Sequence, residues 1–139
     1  MKDIDQFAFR ILDNYRRLLV LAPDLLTLKA GESMKSSSEG YMDLCCEVLR
    51  KDKKQMVIAL SHYYLSNGDL VPDPDVEIKI HLESKAAEAL TYQDTYFFNE
   101  VYMDGNRYRP KVRKSLNGFL NQWLKNCIAQ GHHLSSNKK

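Results

Sequence analysis

Apolar side chains recur in steps of three and four over residues 3–22, at Ile4, Phe7, Ala8, Ile11, Leu12, Tyr15, Leu18, Leu19 and Ala22. That spacing predicts one amphipathic helix, closed by Pro23, whose ring cannot follow an interior turn. From Tyr41 the period falls to two. Met42, Leu44, Cys46 and Val48 alternate with Tyr41, Asp43, Cys45 and Glu47, which predicts a strand over 41–50. Met56, Ile58 and Leu60 repeat the pattern through about Tyr64, and Val76, Ile78, Ile80 and Leu82 repeat it again. Further strands are expected at 86–93 and about 96–103, ended by Asp104-Gly105-Asn106. Between these runs, GESMKSSSEG (31–40) has no periodicity and predicts a flexible surface loop. SNGDLVPDP (66–74) predicts another, in which Asn67-Gly68 supplies positive φ while Pro72 and Pro74 block ladder hydrogen bonds.

Helical spacing returns over about 110–130, at Leu116, Phe119, Leu120, Trp123, Leu124, Cys127 and Ile128. Pro110 suits its first turn and Gly131 the position just past its end. Short returns between the strands imply an α+β fold: a five-stranded antiparallel meander flanked by an N-terminal and a C-terminal amphipathic helix. Residues 1–131 are expected to form a single domain, and 132–139 a flexible polar tail. Both helices should cover one sheet face and bury Trp123, Phe119, Ile78 and Ile80 together. Ala87 and Ala89 should be small because a helix crosses there.

Composition adds bounds. The chain has 139 residues, 44% of them hydrophobic, enough for one core and too few for a second. A net charge of +2 supplies no global field, so a nucleic-acid or membrane partner has to be argued from a local patch. Cys45, Cys46 and Cys127 lack zinc-type spacing and are odd in number, which predicts reduced thiols. The opening MKDIDQFAFR carries acids where a signal peptide has a basic start and an apolar run. No window has the apolar length of a membrane span. A cytoplasmic protein is expected.

Candidate chemistry is sparse. LSHYYLSNGDLVPDP (60–74) gathers a histidine, two tyrosines and two aspartates before Pro74. Matching apolar faces across the predicted loop opposes Tyr64 to Val76, His62 to Ile78 and Leu60 to Ile80. His62 then shares the face of Met56 and Ile58, whereas His81 points with Glu77 and Lys79 to the other side, so the two histidines cannot share a metal. No nucleophile elbow, P-loop or dinucleotide fingerprint is present, and no cofactor is expected. Cys127 lies on an apolar stripe, and Cys45 has no identifiable base. The terminal His132-His133 pair belongs to the expected tail. A sheet-face site would comprise Tyr63, Glu77, Lys79, His81 and Glu88, with Lys79 opposite Glu88 as a cross-strand pair.

RYRPKVRK (107–114) is more pointed. Arg107, Arg109, Lys111, Arg113 and Lys114 surround Tyr108 at a helix N-terminus, where cations oppose the macrodipole. Exposed N–H groups and arginines together favour an anion such as phosphate. The bland alternative is a solvated turn pairing with Glu100 or Asp104.

Three stretches carry a resemblance: NGFLNQWLKNCIAQG (117–131), DVEIKIHLESKAAEAL (75–90) and DNYRRLLVLAP (13–23). The first resembles a signature in which Asn117, Phe119, Leu120, Trp123, Leu124, Cys127 and Gly131 match, that of the bacterial YqiB-like domain-of-unknown-function family. The likeness covers most of the chain, with gaps at 29–55 and 93–110. It departs where that family carries acids before the last helix, here Lys111, Val112 and Arg113, and at Leu82-Glu83. It implies the fold and a bacterial origin, and no activity. The function expected is thus a non-catalytic interaction or regulatory module, more a binder than an enzyme. An unknown protein partner or a homodimer would pair through an edge strand at 41–50 or 96–103. One alternative is an accessory binder of single-stranded nucleic acid or a phosphate ligand through 107–114. Another is a small enzyme using acids of the exposed sheet face.

Overall fold

The computed structural model describes residues 3–136. Its first element, α1 (Asp3–Leu21), follows the predicted stripe and leads through a short 3-10 turn, Leu25–Thr27, into the sheet. The strands are β1 (Ser33–Ser36), β2 (Leu44–Lys51), β3 (Gln55–Ser66), β4 (Asp69–His81), β5 (Ala86–Gln93) and β6 (Phe98–Glu100). After α2 (Pro110–Ala129), a two-residue strand, β7 (Ser135–Ser136), pairs with β1. The fold is α+β and the sheet antiparallel, in the order β6-β5-β4-β3-β2-β1-β7.

The meander therefore has six main strands and a two-residue seventh, not five. β1 lies inside the stretch expected to be a flexible loop. It buries Met34 and Ser36 while exposing Ser33 and Lys35, an alternation too short and too polar to register as a period. Because β1 covers β2, residues 41–50 are not an edge. The tail expected from residue 132 is docked as far as Ser136, with His132 and Leu134 buried; residues 137–139 lie outside the described residues.

The β3–β4 connection is also shorter than expected. Asn67 and Gly68, at φ 52° and 85°, close a two-residue turn, so β4 starts at Asp69 rather than beyond Pro74. Ile78 consequently faces Ile58 instead of His62, and Val76 faces Leu60. The prolines are tolerated because β5 reaches β4 only from Asp75 onward, leaving the outer side of 69–74 without a ladder to break.

Both helices pack on one face over Met34, Leu44, Cys46, Ile58, Leu60, Ile78 and Ile80, with Trp123 joining this core. Ala87 and Ala89 are fully buried where α1 and α2 cross β5. Phe119, expected in the core, is 37% exposed. α2 ends as its sequence predicts: Gly131 takes φ 88°, and the N–H groups of Gly131 and His132 return to the Ile128 and Cys127 carbonyls.

β6 pairs with β5 only at Thr91–Gln93, so the rest of that β5 edge needs other partners. Asn117 Oδ1 accepts the Ala89 N–H at 2.8 Å, and Asn14 Nδ2 donates to the Ala87 carbonyl at 3.3 Å. Side-chain amides thus stand in for a missing strand. No helix among the described residues is long and apolar enough to cross a membrane.

Candidate anion-binding groove

α1 and α2 run side by side in the same direction, since Phe7 meets Arg113 and Asn14 meets Asn117 and Asn121. Their first turns frame an open groove of about 730 Å³. Gln6, Phe7 and Arg10 line it from α1, and Pro110, Lys111, Arg113, Lys114, Gly118 and Phe119 from α2. The Arg113 guanidinium sits 3.9 Å from the Phe7 ring centre and 4.0 Å from that of Tyr108. Two rings thus pack against the planar cation, and the Tyr102 hydroxyl takes one of its hydrogen bonds. Tyr108 is held in turn by a bridge to Tyr102 and a ring contact at 6.3 Å.

The structure brings together part of the predicted segment. Lys111, Arg113 and Lys114 reach the groove, and Arg10 joins them from α1. Sequence reasoning missed Arg10; its place three residues after Phe7 on one helix face was the available signal. Arg107 and Arg109 stay outside the lining. Their donors go to backbone, Arg107 Nε to the Asp104 carbonyl at 3.4 Å and Arg109 Nη1 to the Glu100 carbonyl at 3.2 Å. Among residues 6–135, whose side chains are described, none of Arg10, Arg107, Arg109, Lys111, Arg113 and Lys114 lies within ion-pair distance of a carboxylate. The first turn of α2 carries no acid, and its N-cap, Arg109, provides no side-chain hydrogen bond. The amide end of the helix and the cations therefore add to one positive field.

Gly118 marks the groove floor in mid-helix. A Cβ built there would meet nothing within 4 Å, so no neighbour in the fold requires a glycine.

Of the residues expected on the exposed sheet face, His81 and Glu88 meet, while Tyr63 bonds elsewhere and the five do not form one site. Glu88 is buried rather than exposed, at 6%. Its Oε1 accepts from His81 Nε2 at 3.0 Å and its Oε2 from the Tyr102 hydroxyl at 2.7 Å. Burial, then the bond to Glu88, pushes the Tyr102 phenol well above its ordinary range. Lys79 faces Glu88 in register, as predicted, yet makes no ion pair with it. Tyr63 donates instead to Asp75 at 3.2 Å, and burial raises that carboxyl. A shallower hollow of about 340 Å³ near Lys35, Cys45, Glu47 and Tyr63 includes none of Glu77, Lys79, His81 or Glu88. Burial also raises the Cys45 thiol, against any nucleophilic role.

His62 lies on the core side and His81 on the other, as the alternation requires. The His62 ring meets Trp123 edge-on at 5.4 Å, and its Nε2 is 3.7 Å from Cys127 Sγ. Burial pushes that thiol up to about 12, so it packs as a neutral group. His132, expected in a solvated tail, is buried 5.8 Å from the His62 ring, with Nδ1 at 2.9 Å from Ser36 Oγ. Among the described residues no three His, Cys, Asp or Glu side chains are placed to hold a metal ion.

Comparison with curated proteins and with solved structures gives no match. The chain belongs to the family described as Domain of unknown function (DUF6908), which matches residues 13–133. Nothing in that match links it to the YqiB-like family or to bacteria.

Proposed function

We propose that this chain is a non-catalytic, cytoplasmic binding module that holds a single-stranded nucleic acid along the groove between α1 and α2. One observation carries the reading: Arg10, Lys111, Arg113 and Lys114 converge on an open groove, with no carboxylate of residues 6–135 within ion-pair distance. Cations held without acids are solvated until a ligand neutralises them, and release of the ligand's counterions then drives binding. Arg113, already held by two rings and the Tyr102 hydroxyl, presents its remaining N–H groups to a phosphate at little ordering cost. Phe119, 37% exposed in the groove lining, offers a ring on which an unpaired base stacks, and Tyr108, equally exposed, lies beside the groove against Arg113. Four contacts and a net charge of +2 suit modest, sequence-tolerant affinity.

The enzymatic alternative has less support, because both Glu88 oxygens are engaged and neither Glu77 nor Glu88 lines the groove or the smaller hollow. Fluorescence anisotropy with a labelled single-stranded oligonucleotide tests the main reading. Four phosphate contacts predict a slope of log affinity against log salt of about −3. Arg113→Glu with Lys114→Glu should abolish binding, and duplex of equal length should bind more weakly. Absence of binding at low salt, or equal binding by the variant, removes the nucleic-acid reading; inorganic phosphate competing as well as the strand reduces it to a phosphate site.

A further inference from the structure

β2 pairs with β3 only as far as His62, and β5 pairs with β4 only from Asp75. Residues 63–74 consequently project past the ladders of β2 and β5 as a two-stranded arm, with no strand beside it among the described residues. Such a ribbon has little to hold it unless its apolar surface is covered. Its tip exposes two cross-strand neighbours, Leu65 at 72% and Leu70 at 66%. Its charge is one-sided as well. No lysine or arginine occurs between Lys54 and Lys79, whereas Asp69 lies at the tip and Asp73 at the root. At the arm's root, the Tyr64 hydroxyl lies 2.7 Å from Thr95 Oγ1, which fixes its direction.

We infer that this arm docks in the α1–α2 groove of a second copy of the chain, and that two copies exchanging arms form a closed dimer in which the grooves are occluded. The inference rests on the reading of that groove as the binding site. Each half of the contact is the complement of the other. Leu65 and Leu70 need an apolar floor, which Phe7, Phe119 and the bare backbone at Gly118 supply. Asp69 and Asp73 need cations, which Lys111 and Lys114 supply at the rim. Strand addition along the β4 side of the arm is disfavoured, because Pro72 and Pro74 offer no N–H groups there. The arm is suited to insertion by its tip. A chain that carries both halves can satisfy each once in a two-fold exchange, with no arm left over. The same cations would serve an acidic arm or a phosphate strand, so the two occupants exclude one another.

Sedimentation velocity over a range of concentration and salt, with far-UV circular dichroism to check each variant's fold, tests this directly. Wild type should dimerise at low salt and dissociate as salt rises. Asp69→Lys with Asp73→Lys should give monomer, as should Leu65→Ser with Leu70→Ser, and adding Lys111→Glu and Lys114→Glu to the aspartate variant should restore the dimer. A short oligothymidylate should convert dimer to a monomeric complex and bind the arm variants several-fold tighter than wild type. A dimer indifferent to oligothymidylate would remove the nucleic-acid reading and leave the arm. Wild type that stays monomeric yet binds oligothymidylate, or a dimer that survives arm charge reversal, overturns the arm.

Discussion

Asn117 illustrates how much a single side chain decides here. Its Oδ1 serves the Ala89 N–H and Asn14 Nδ2, while its Nδ2 donates to the Arg113 carbonyl at 2.8 Å. Replacing it with leucine keeps the volume but orphans a buried N–H, at a cost of roughly 1–3 kcal/mol for each group left unpaired. Urea denaturation of Asn117→Leu should show a loss of that size; an unchanged midpoint would mean water satisfies the β5 edge. Asp13 acts nearby. Asn121 Nδ2 donates to it at 2.8 Å, and with Arg17 and Arg16 outweighs burial to hold its carboxyl far below the usual range. A depressed folded value means the contribution is present above the unfolded value of 3.8 and is lost as pH falls below it. Asp13→Asn should therefore be less stable than wild type at neutral pH and lose less on acidification below about pH 4. Neither Asn14 nor Asn117 was legible as an edge cover. They sit between apolar positions on their helices, and only the unpaired stretch of β5 gives them a task.

Elements were readable in proportion to their periodicity. α1 and α2 follow their predicted ranges closely, because each holds its period long enough for one face to be buried, and β5 matches its range although its first four residues are all buried. β1 was not, since four residues of SMKS cannot establish a period and depend on pairing to Cys45 and Cys46 for their existence. The hairpin failed differently. Asn67-Gly68 marks a positive-φ pair in the sequence, but Pro72 and Pro74 point to a longer loop unless the β4 neighbour stops at Asp75, as it does. Within α2, Gly118 lowers helix stability by about 0.5–1 kcal/mol relative to alanine. Gly118→Ala should raise thermal stability by that amount, since the added methyl meets no neighbour. On the groove floor the same methyl should weaken oligonucleotide binding. A variant that is more stable and binds as well as wild type would separate the glycine from the site.

At the scale of the whole molecule, alternation was enough to predict fold class and the sidedness of the sheet. The number of strands was not legible, because β1 and β7 exist through contacts between distant segments. The candidate site was half legible. The cluster of cations at 107–114 is visible in sequence, yet which of them face the groove depends on the parallel approach of α1, and that alone selects Lys111, Arg113 and Lys114 over Arg107 and Arg109. Net charge also misleads at this scale. A value of +2 conceals an acidic, apolar-tipped arm and a basic groove in one chain. Ionic strength should consequently govern association more than net charge suggests.

The chain has one tryptophan, and Trp123 stacks on Phe119 at 5.8 Å while its other neighbour is the His62 ring. Phe119 lines the groove, so the indole is one side chain removed from whatever occupies it. The protein is in effect supplied with an internal optical probe. A strand or an arm that presses on Phe119 should shift Trp123 emission without any attached dye, and Phe119→Leu should abolish that response while leaving a binding signal by anisotropy. Unaltered emission on saturation would place the ligand at the rim, clear of the aromatic floor.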